Sequence, residues 1–190
     1  MSKLSSQTVD RLFEGAASIE PAPGGGAVTS LCGMLGIALV LKALRISLKR
    51  RDDAERFRPA DEALEQLARM MAGDADADAE AYGAYIAAVR LPKEPAEAAA
   101  TRSARLQQTG ALSTGAALAA LEHAAQAMDQ ARAIAPMIGQ QMAPDLDAGL
   151  ALLEIMRSNA AHNAEANLAG VKDMATHAAL AQRLAAARFR

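Results

Sequence analysis

The sequence of 190 residues contains no tryptophan, two tyrosines and three phenylalanines, and it is poor in valine, isoleucine and threonine. Strands favour aromatic and β-branched residues, so their scarcity argues against a β-sheet fold. Alanine instead supplies roughly a quarter of the chain, and no residue favours a helix more strongly. The composition predicts an all-α fold, and this length suits a single domain over residues 1–190.

The net charge is small, and the chain has a single cysteine. The formal net charge is −2, which gives no excess of basic residues for binding a nucleic acid. The single cysteine, Cys32, cannot form an intrachain disulfide, and we expect a reduced, cytoplasmic setting. The first 15 residues carry acids and lack the apolar core of a signal peptide.

One long apolar run is present, over residues 27–44. Its length approaches that of a membrane-spanning helix. However, the run contains Lys42, Thr29 and Ser30 as well as two glycines, and no second apolar run follows it. A helix that is apolar on every side is more often the centre of a bundle, so we expect a buried central helix and no membrane span.

Apolar periodicity, interrupted by proline and glycine, divides the chain into six predicted helices. Their approximate ranges are 8–18, 27–48, 59–89, 95–134, 146–169 and 172–187. We therefore expect a single-domain, dimer-forming bundle of about six helices, with the apolar second helix at its centre.

A proline- and glycine-rich stretch, PAPGGG over residues 21–26, stands directly before the apolar helix. Glycine allows positive φ and a close approach of the backbone, which is a structural reason for the run. Free N–H groups at a helix N-terminus also suit a carboxylate or phosphate, which is a functional one. The run is not a dinucleotide fingerprint, because no strand precedes it.

Four acids alternate with alanine in the stretch GDADADAE, residues 73–80. On a helix, Asp74 and Asp78 share one face with Tyr82 and Tyr85, the only tyrosines of the chain. One interpretation is a solvated acidic face. The other is a carboxylate flanked by tyrosines that serves as a general acid or base.

Three asparagines recur at intervals of four, at Asn159, Asn163 and Asn167. Asparagine is a poor residue for a helix interior, so the pattern predicts either a polar seam between helices or an array of amides for a polar heterocycle. The histidines are scattered, without the spacing of a metal site. We expect ordinary surface or core histidines at His123, His162 and His177.

Together these stretches resemble the cyclodeaminase/cyclohydrolase family of folate enzymes, which comprises the C-terminal domain of formiminotransferase-cyclodeaminase and stand-alone methenyltetrahydrofolate cyclohydrolases. The matching segments follow in order from about residue 12 to residue 173. They are Pro23-Gly24-Gly25-Gly26, Asp78-Ala79-Glu80-Ala81-Tyr82, Leu91-Pro92-Lys93, Arg102 with Leu106-Gln107, Asp145-Leu146, and Asn163 with Asn167-Leu168 and Asp173. The resemblance implies an all-helical homodimer that binds a tetrahydrofolate derivative near its glycine-rich turn, with no metal and no cofactor beyond that substrate.

The resemblance also assigns roles. Asp78 matches the aspartate that the family is taken to use in catalysis, and Tyr82 stands where the family usually has phenylalanine. Asparagine amides suit the edge of a pterin, and basic residues suit the anionic glutamate tail. The candidate substrate-binding residues are Gly24, Gly25, Gly26, Arg50, Tyr82, Lys93, Arg102, Asp145, Asn163 and Asn167.

The expected activity is the hydrolysis of 5,10-methenyltetrahydrofolate to 10-formyltetrahydrofolate, with Asp78 as general acid and base. One alternative is a formiminotetrahydrofolate cyclodeaminase that releases ammonia. A second is a non-catalytic folate-binding or assembly protein of the same fold. Departures from the family pattern motivate this second alternative, such as Pro144 where serine is common and Ala116-Ala117-Leu118 in place of Val-Pro-Leu.

Overall fold

The computed structural model describes residues 3–49 and 54–188. Within them the chain forms six α-helices: α1 (Val9–Ala16), α2 (Gly25–Leu48), α3 (Arg58–Val89), α4 (Ala96–Ile134), α5 (Ala143–Leu168) and α6 (Met174–Arg188). Short 3-10 turns lie before α1, before α3 and between α4 and α5, and the described residues contain no strand. The predicted all-α bundle of six helices is confirmed, and each predicted boundary lies within three residues of the observed one.

Helix α2 is the buried centre of the bundle, as its composition predicts. It packs along both α3 and α5, and it buries large side chains such as Ile37, Val40 and Leu44 completely or nearly so. By length and composition alone α2 could cross a membrane, although 56% of its most apolar window is buried inside the protein. The core helix of a bundle accounts for that composition.

Helices α2 and α5 meet backbone to backbone. A Cβ atom on Gly149 of α5 would lie 2.7 Å from the carbonyl oxygen of Gly36 and 2.8 Å from Cγ2 of Val40. A Cβ atom on Gly36 would lie 2.8 Å from the carbonyl oxygen of Gly149. Neither position has room for a side chain, so these glycines set the distance between the two helices.

Helices α3 and α4 are longer than α2, with 32 and 39 residues against 24. The N-terminus of α2 meets α3 at Asp78, so the last 11 residues of α3, about 16 Å of helix, extend beyond α2. The bundle therefore has a closed end, where α2 lies between its neighbours, and an open end past the N-terminus of α2. Helix α6 packs against α4 and α5.

Helix α1 lies at the periphery, where Leu12 packs against a small buried cluster that includes Leu31 of α2. The hydroxyl of Thr8 caps α1 by accepting a hydrogen bond from the N–H of Arg11 at 3.3 Å. The exposed fractions of Val9 and Phe13 on the same helix are 81% and 73%. The single chain therefore leaves these two apolar side chains uncovered.

Candidate active site

The N-terminus of α2 is capped by a carboxylate from another helix. Its own N-cap residue, Gly24, has no side chain to accept a hydrogen bond. Instead, Oδ2 of Asp78 on α3 accepts a hydrogen bond from the N–H of Ala27 at 2.9 Å. Asp78 thereby satisfies one of the backbone donors that a helix leaves free at its first turn, and its negative charge lies at the positive end of the helix dipole.

The glycine run makes this contact possible. A Cβ atom on Gly26 would collide with the carboxylate of Asp78. No glycine in the described part of the chain has a positive φ, so close approach is the reason for this glycine, and an unusual backbone conformation is not. The glycine run and Asp78 therefore meet at the N-terminus of α2.

A hydrogen-bonded seam joins α2 to α5 beside Asp78. Oδ1 of Asn159 accepts hydrogen bonds from Nδ2 of Asn163 at 3.0 Å and from the hydroxyl of Thr29 at 3.1 Å. The hydroxyl of Thr29 also lies 2.8 Å from the carbonyl oxygen of Gly25, and because it has one hydrogen it donates to one acceptor at a time. Two of the three asparagines therefore form the polar seam that their spacing suggested.

The carboxylate and the seam enclose a cavity of about 10 Å³. That is room for about one water molecule. Small side chains on α4 leave the space open, while α2, α3 and α5 supply its polar groups. The lining residues are Gly26, Thr29, Ser30, Asp78, Ala116, Ala117, Ala120, Asn159, Ala160 and Asn163.

Burial governs the acidity of Asp78. Removal from water raises the pKa of its carboxyl group above the ordinary 3.8, and the hydrogen bond from Ala27 opposes that shift without cancelling it. Burial penalises the charged form, whereas a donor to the carboxylate favours it. The pKa of Asp78 is therefore raised, which is the direction that a general acid or base near neutral pH requires.

The other acids of the alternating run have separate roles. Asp74 is buried and lies 2.8 Å from Nδ1 of His123 on α4. Asp76 accepts a hydrogen bond from the N–H of Leu4 at 2.8 Å, and Glu80 is exposed. A solvated acidic face is therefore wrong for Asp74 and Asp78, because the helix carries these residues into the bundle.

Several candidate residues lie near the cavity without lining it. Gly24 is the N-cap of α2, and Gly25 is its first residue. Tyr82 follows Asp78 by one turn of α3 and has an exposed fraction of 43%. Asn167 is half-buried one turn beyond Asn163, and it does not contribute to the cavity wall.

Other candidates are remote from Asp78 within the chain. Lys93 is exposed in the loop between α3 and α4, and Nε of Arg102 donates to the carbonyl oxygen of Val89 at 3.2 Å, about 16 Å along α3 from Asp78. Asp145 pairs with Lys42 at 3.0 Å, about 21 Å along α5 from Asn159. The structure does not bring these residues to the cavity, and Arg50 lies outside the described residues.

Thr29 and Ser30 are site residues that the sequence interpretation missed as binding groups. Both stand in the first turns of an otherwise apolar helix, three and four residues after Gly26. Ser30 is buried, and its hydroxyl donates to the carbonyl oxygen of Gly26 at 2.9 Å. Adjacent hydroxyl residues in a helix expected to be buried were the available signal. Across residues 3–49 and 54–188, no group of three or more histidine, cysteine or acidic side chains lies together as metal ligands would.

Comparisons with known proteins place this chain among folate enzymes of known name. A family model described as formiminotransferase-cyclodeaminase matches residues 8–186. A methenyltetrahydrofolate cyclohydrolase of Methylorubrum extorquens is 29% identical over 174 residues, which cover 89% of this chain and 83% of the relative.

A crystal structure of formiminotetrahydrofolate cyclodeaminase from Thermotoga maritima is similar in fold. It matches with a TM-score of 0.84 and 18% sequence identity, over 96% of this chain and 89% of that one. At this identity the likeness establishes the fold and leaves the reaction to be argued from the site.

Proposed function

The chain belongs to the formiminotransferase-cyclodeaminase family, and from that premise we propose that it hydrolyses 5,10-methenyltetrahydrofolate to 10-formyltetrahydrofolate. The observation that carries the proposal is the carboxylate of Asp78, held by the N–H of Ala27 beside a polar cavity with room for one water molecule. The cyclohydrolase name of the relative from Methylorubrum extorquens supports the same reaction.

Asp78 is the general base and acid of the proposed reaction. Water in the cavity attacks the cationic carbon that bridges N5 and N10, and Asp78 takes a proton from that water. The bond from this carbon to N5 then breaks, the attached oxygen becomes the formyl carbonyl, and the protonated Asp78 returns its proton to N5. The proton of the second O–H bond passes to solvent, so one proton is released for each cation hydrolysed.

The cavity holds the attacking water and not the folate, since about 10 Å³ cannot contain a pterin. The substrate must therefore lie across its mouth, between the Gly24–Gly26 turn and the exposed ring of Tyr82. Asn163 orients the water or the pterin edge from α5. Lys93 and Arg102, farther along the α3–α4 hairpin, remain our candidates for the anionic glutamate tail, and Arg50 and Asp145 remain predictions from the resemblance alone.

Cyclodeamination is the second candidate, and the fold of the Thermotoga maritima enzyme favours it. In that reaction N10 attacks the formimino carbon, and the same carboxyl group would take the proton of N10 and give one to the amino nitrogen of the adduct, which then leaves as ammonia. The raised pKa of Asp78 suits both transfers. The cavity of one-water size is the observation by which we rank hydrolysis first.

Two assays on the purified protein separate these functions. Loss of methenyl absorbance, corrected for the spontaneous reaction, reports hydrolysis, and ammonia release from formiminotetrahydrofolate reports cyclodeamination. We expect the first to be the faster. Absence of both, together with an unfolding midpoint that tetrahydrofolates raise, would favour the non-catalytic folate-binding alternative, because a ligand that binds the native state stabilises it.

We also propose that the protein is a homodimer in the cytoplasm. The uncovered apolar side chains support the dimer: Val9 and Phe13 on α1, and Leu35, with an exposed fraction of 55%, on the outer face of α2. Contiguous exposed apolar surface marks an interface in soluble proteins, and we propose that a second copy of the chain covers these side chains. Light scattering should give twice the mass of the 19.7 kDa chain, and a monomer would contradict the proposal.

A further inference from the structure

A second carboxylate is buried one helical turn from Asp78. The exposed fraction of Asp74 is 8%, and it is the one charged residue among the buried residues that the structure describes. Its Oδ2 lies 2.8 Å from Nδ1 of His123, whose side chain is 16% exposed. The proposed mechanism uses neither residue, so this buried pair calls for its own explanation.

Each member of the pair lies about one helical turn from a residue that lines the cavity. Asp74 and Asp78 occupy equivalent positions on successive turns of α3, where side chains are neighbours. His123 follows the cavity-lining Ala120 by three residues on α4. The Asp74–His123 contact therefore joins α3 to α4 one turn below the catalytic carboxyl group, on the side of the cavity where α4 contributes only alanine.

We propose that Asp74 and His123 are a positioning pair for Asp78: they hold α3 against α4 beneath the cavity, and the imidazolium compensates the charge of Asp74 so that it does not act on Asp78. This inference rests on the proposed function only for the catalytic meaning of Asp78. The compensation itself is a property of the free protein.

The surrounding charges support this arrangement. The hydrogen bond to Asp74 is the principal cause that raises the pKa of His123; burial of the ring opposes this shift, and Glu122 on the same helix adds a smaller contribution that raises it. Glu122 is itself paired with Arg183 of α6 at 3.0 Å. Around Asp78, α2 supplies the N–H of Ala27, while α5 supplies the neutral amides of Asn159 and Asn163. Asp74 is thus the near acid whose charge requires a partner.

The experiment follows the NMR chemical shift of the Asp78 carboxyl carbon against pH in the substrate-free protein. The midpoint of that curve reports the pKa of Asp78. His123→Gln leaves the charge of Asp74 uncompensated and should move the midpoint of Asp78 upward by about half a pH unit or more. Asp74→Asn removes both the charge of Asp74 and the main group that keeps His123 protonated, so the midpoint of Asp78 should lie at or below that of the wild type. The double variant Asp74→Asn/His123→Gln removes both charges and should return the midpoint towards that of the wild type.

The control is His177→Gln, at an exposed position on α6, which should leave the Asp78 titration unchanged. An Asp78 midpoint in His123→Gln equal to or below that of the wild type would overturn the proposal. If His123→Gln does not fold, Asp74→Asn decides alone, since an upward shift of the Asp78 midpoint there would overturn the proposal. Because no folate is present, these outcomes are independent of whether the hydrolysis assay succeeds.

Discussion

Each half of α2 contains a glycine that lets another group approach the backbone closely, but the group that approaches differs between the two halves. At the closed end, Gly36 faces Gly149 of α5, and what comes close is backbone. At the open end, Gly26 faces α3, and what comes close is the carboxylate of Asp78. A missing Cβ allows two helices to come into contact in one place and a carboxylate to reach a helix terminus in the other. We therefore expect closed-end changes to affect stability first and open-end changes to affect catalysis first.

The largest expected effect is that of Gly149→Val at the closed end. Its side chain would meet the carbonyl oxygen of Gly36 and Val40, so we expect a loss of about 3 kcal/mol of unfolding free energy or failure to fold, measured by urea denaturation. The control is Gly73→Ala on α3, where a Cβ atom has nothing within 4 Å. That change should stabilise the protein by about 0.5–1 kcal/mol. Similar stabilities for the two variants would contradict this account of the closed end.

At the open end, Gly26→Ala should separate activity from stability. The added Cβ forces the carboxylate of Asp78 away from the N–H of Ala27, so we expect hydrolysis to fall at least about tenfold while the protein remains folded. Gly25→Ala is the matched comparison for folding, because its Cβ would lie at an ordinary 3.7 Å from Nδ2 of Asn159. Wild-type activity in Gly26→Ala would show that the close approach has no catalytic importance.

The same contrast explains what the sequence could predict. Helix boundaries depend on local signals such as the prolines near residues 59 and 95, and the sequence placed them well. The candidate role of Asp78 as a general acid and base was predicted from a short local motif. The partner of Asp74 was not, because His123 is 49 residues away in the chain and no local pattern links the two.

The sequence also could not show which candidate substrate-binding residues lie near Asp78 and which lie far from it. Arg102 and Asp145 belong to segments that match the family, yet they sit against Val89 and Lys42 within this chain. Thr29 is one of two adjacent hydroxyl residues in an apolar run, and only the packing of α5 against α2 gives it Asn159 as a partner. Local pattern fixes which helices form, whereas the spacing between helices fixes which side chains meet.

A smaller effect at the open end is expected for Asn163→Ala. The change removes the donor to Oδ1 of Asn159 and one polar group of the cavity wall. Loss of one hydrogen bond corresponds to about a threefold to tenfold effect, which we expect mainly in KM for methenyltetrahydrofolate. The matched control is His162→Ala, the same truncation at the neighbouring exposed position of α5, which should leave the kinetics unchanged. A larger loss in the control than in Asn163→Ala would contradict this role.

The smallest expected effect is a pH dependence of stability due to His123. Asp74 raises the pKa of His123 above 6.5, so the folded state holds that proton more tightly than the unfolded state. The resulting stabilisation is complete below pH 6.5 and is lost as pH rises through the folded-state value. The unfolding midpoint of the wild type should decline over that range relative to Asp74→Asn. Parallel profiles for the two proteins would indicate that the pair contributes no such linkage.

The central claim is that the carboxyl group of Asp78 carries out the proton transfers, and Asp78→Asn tests it most directly. Asparagine can still accept the hydrogen bond from Ala27, and it removes a buried charge, so the variant should fold with an unchanged or higher unfolding midpoint. We expect methenyltetrahydrofolate hydrolysis, after correction for the spontaneous reaction, to fall by about a hundredfold or more. A folded Asp78→Asn protein that hydrolyses the substrate at the wild-type rate would contradict the account.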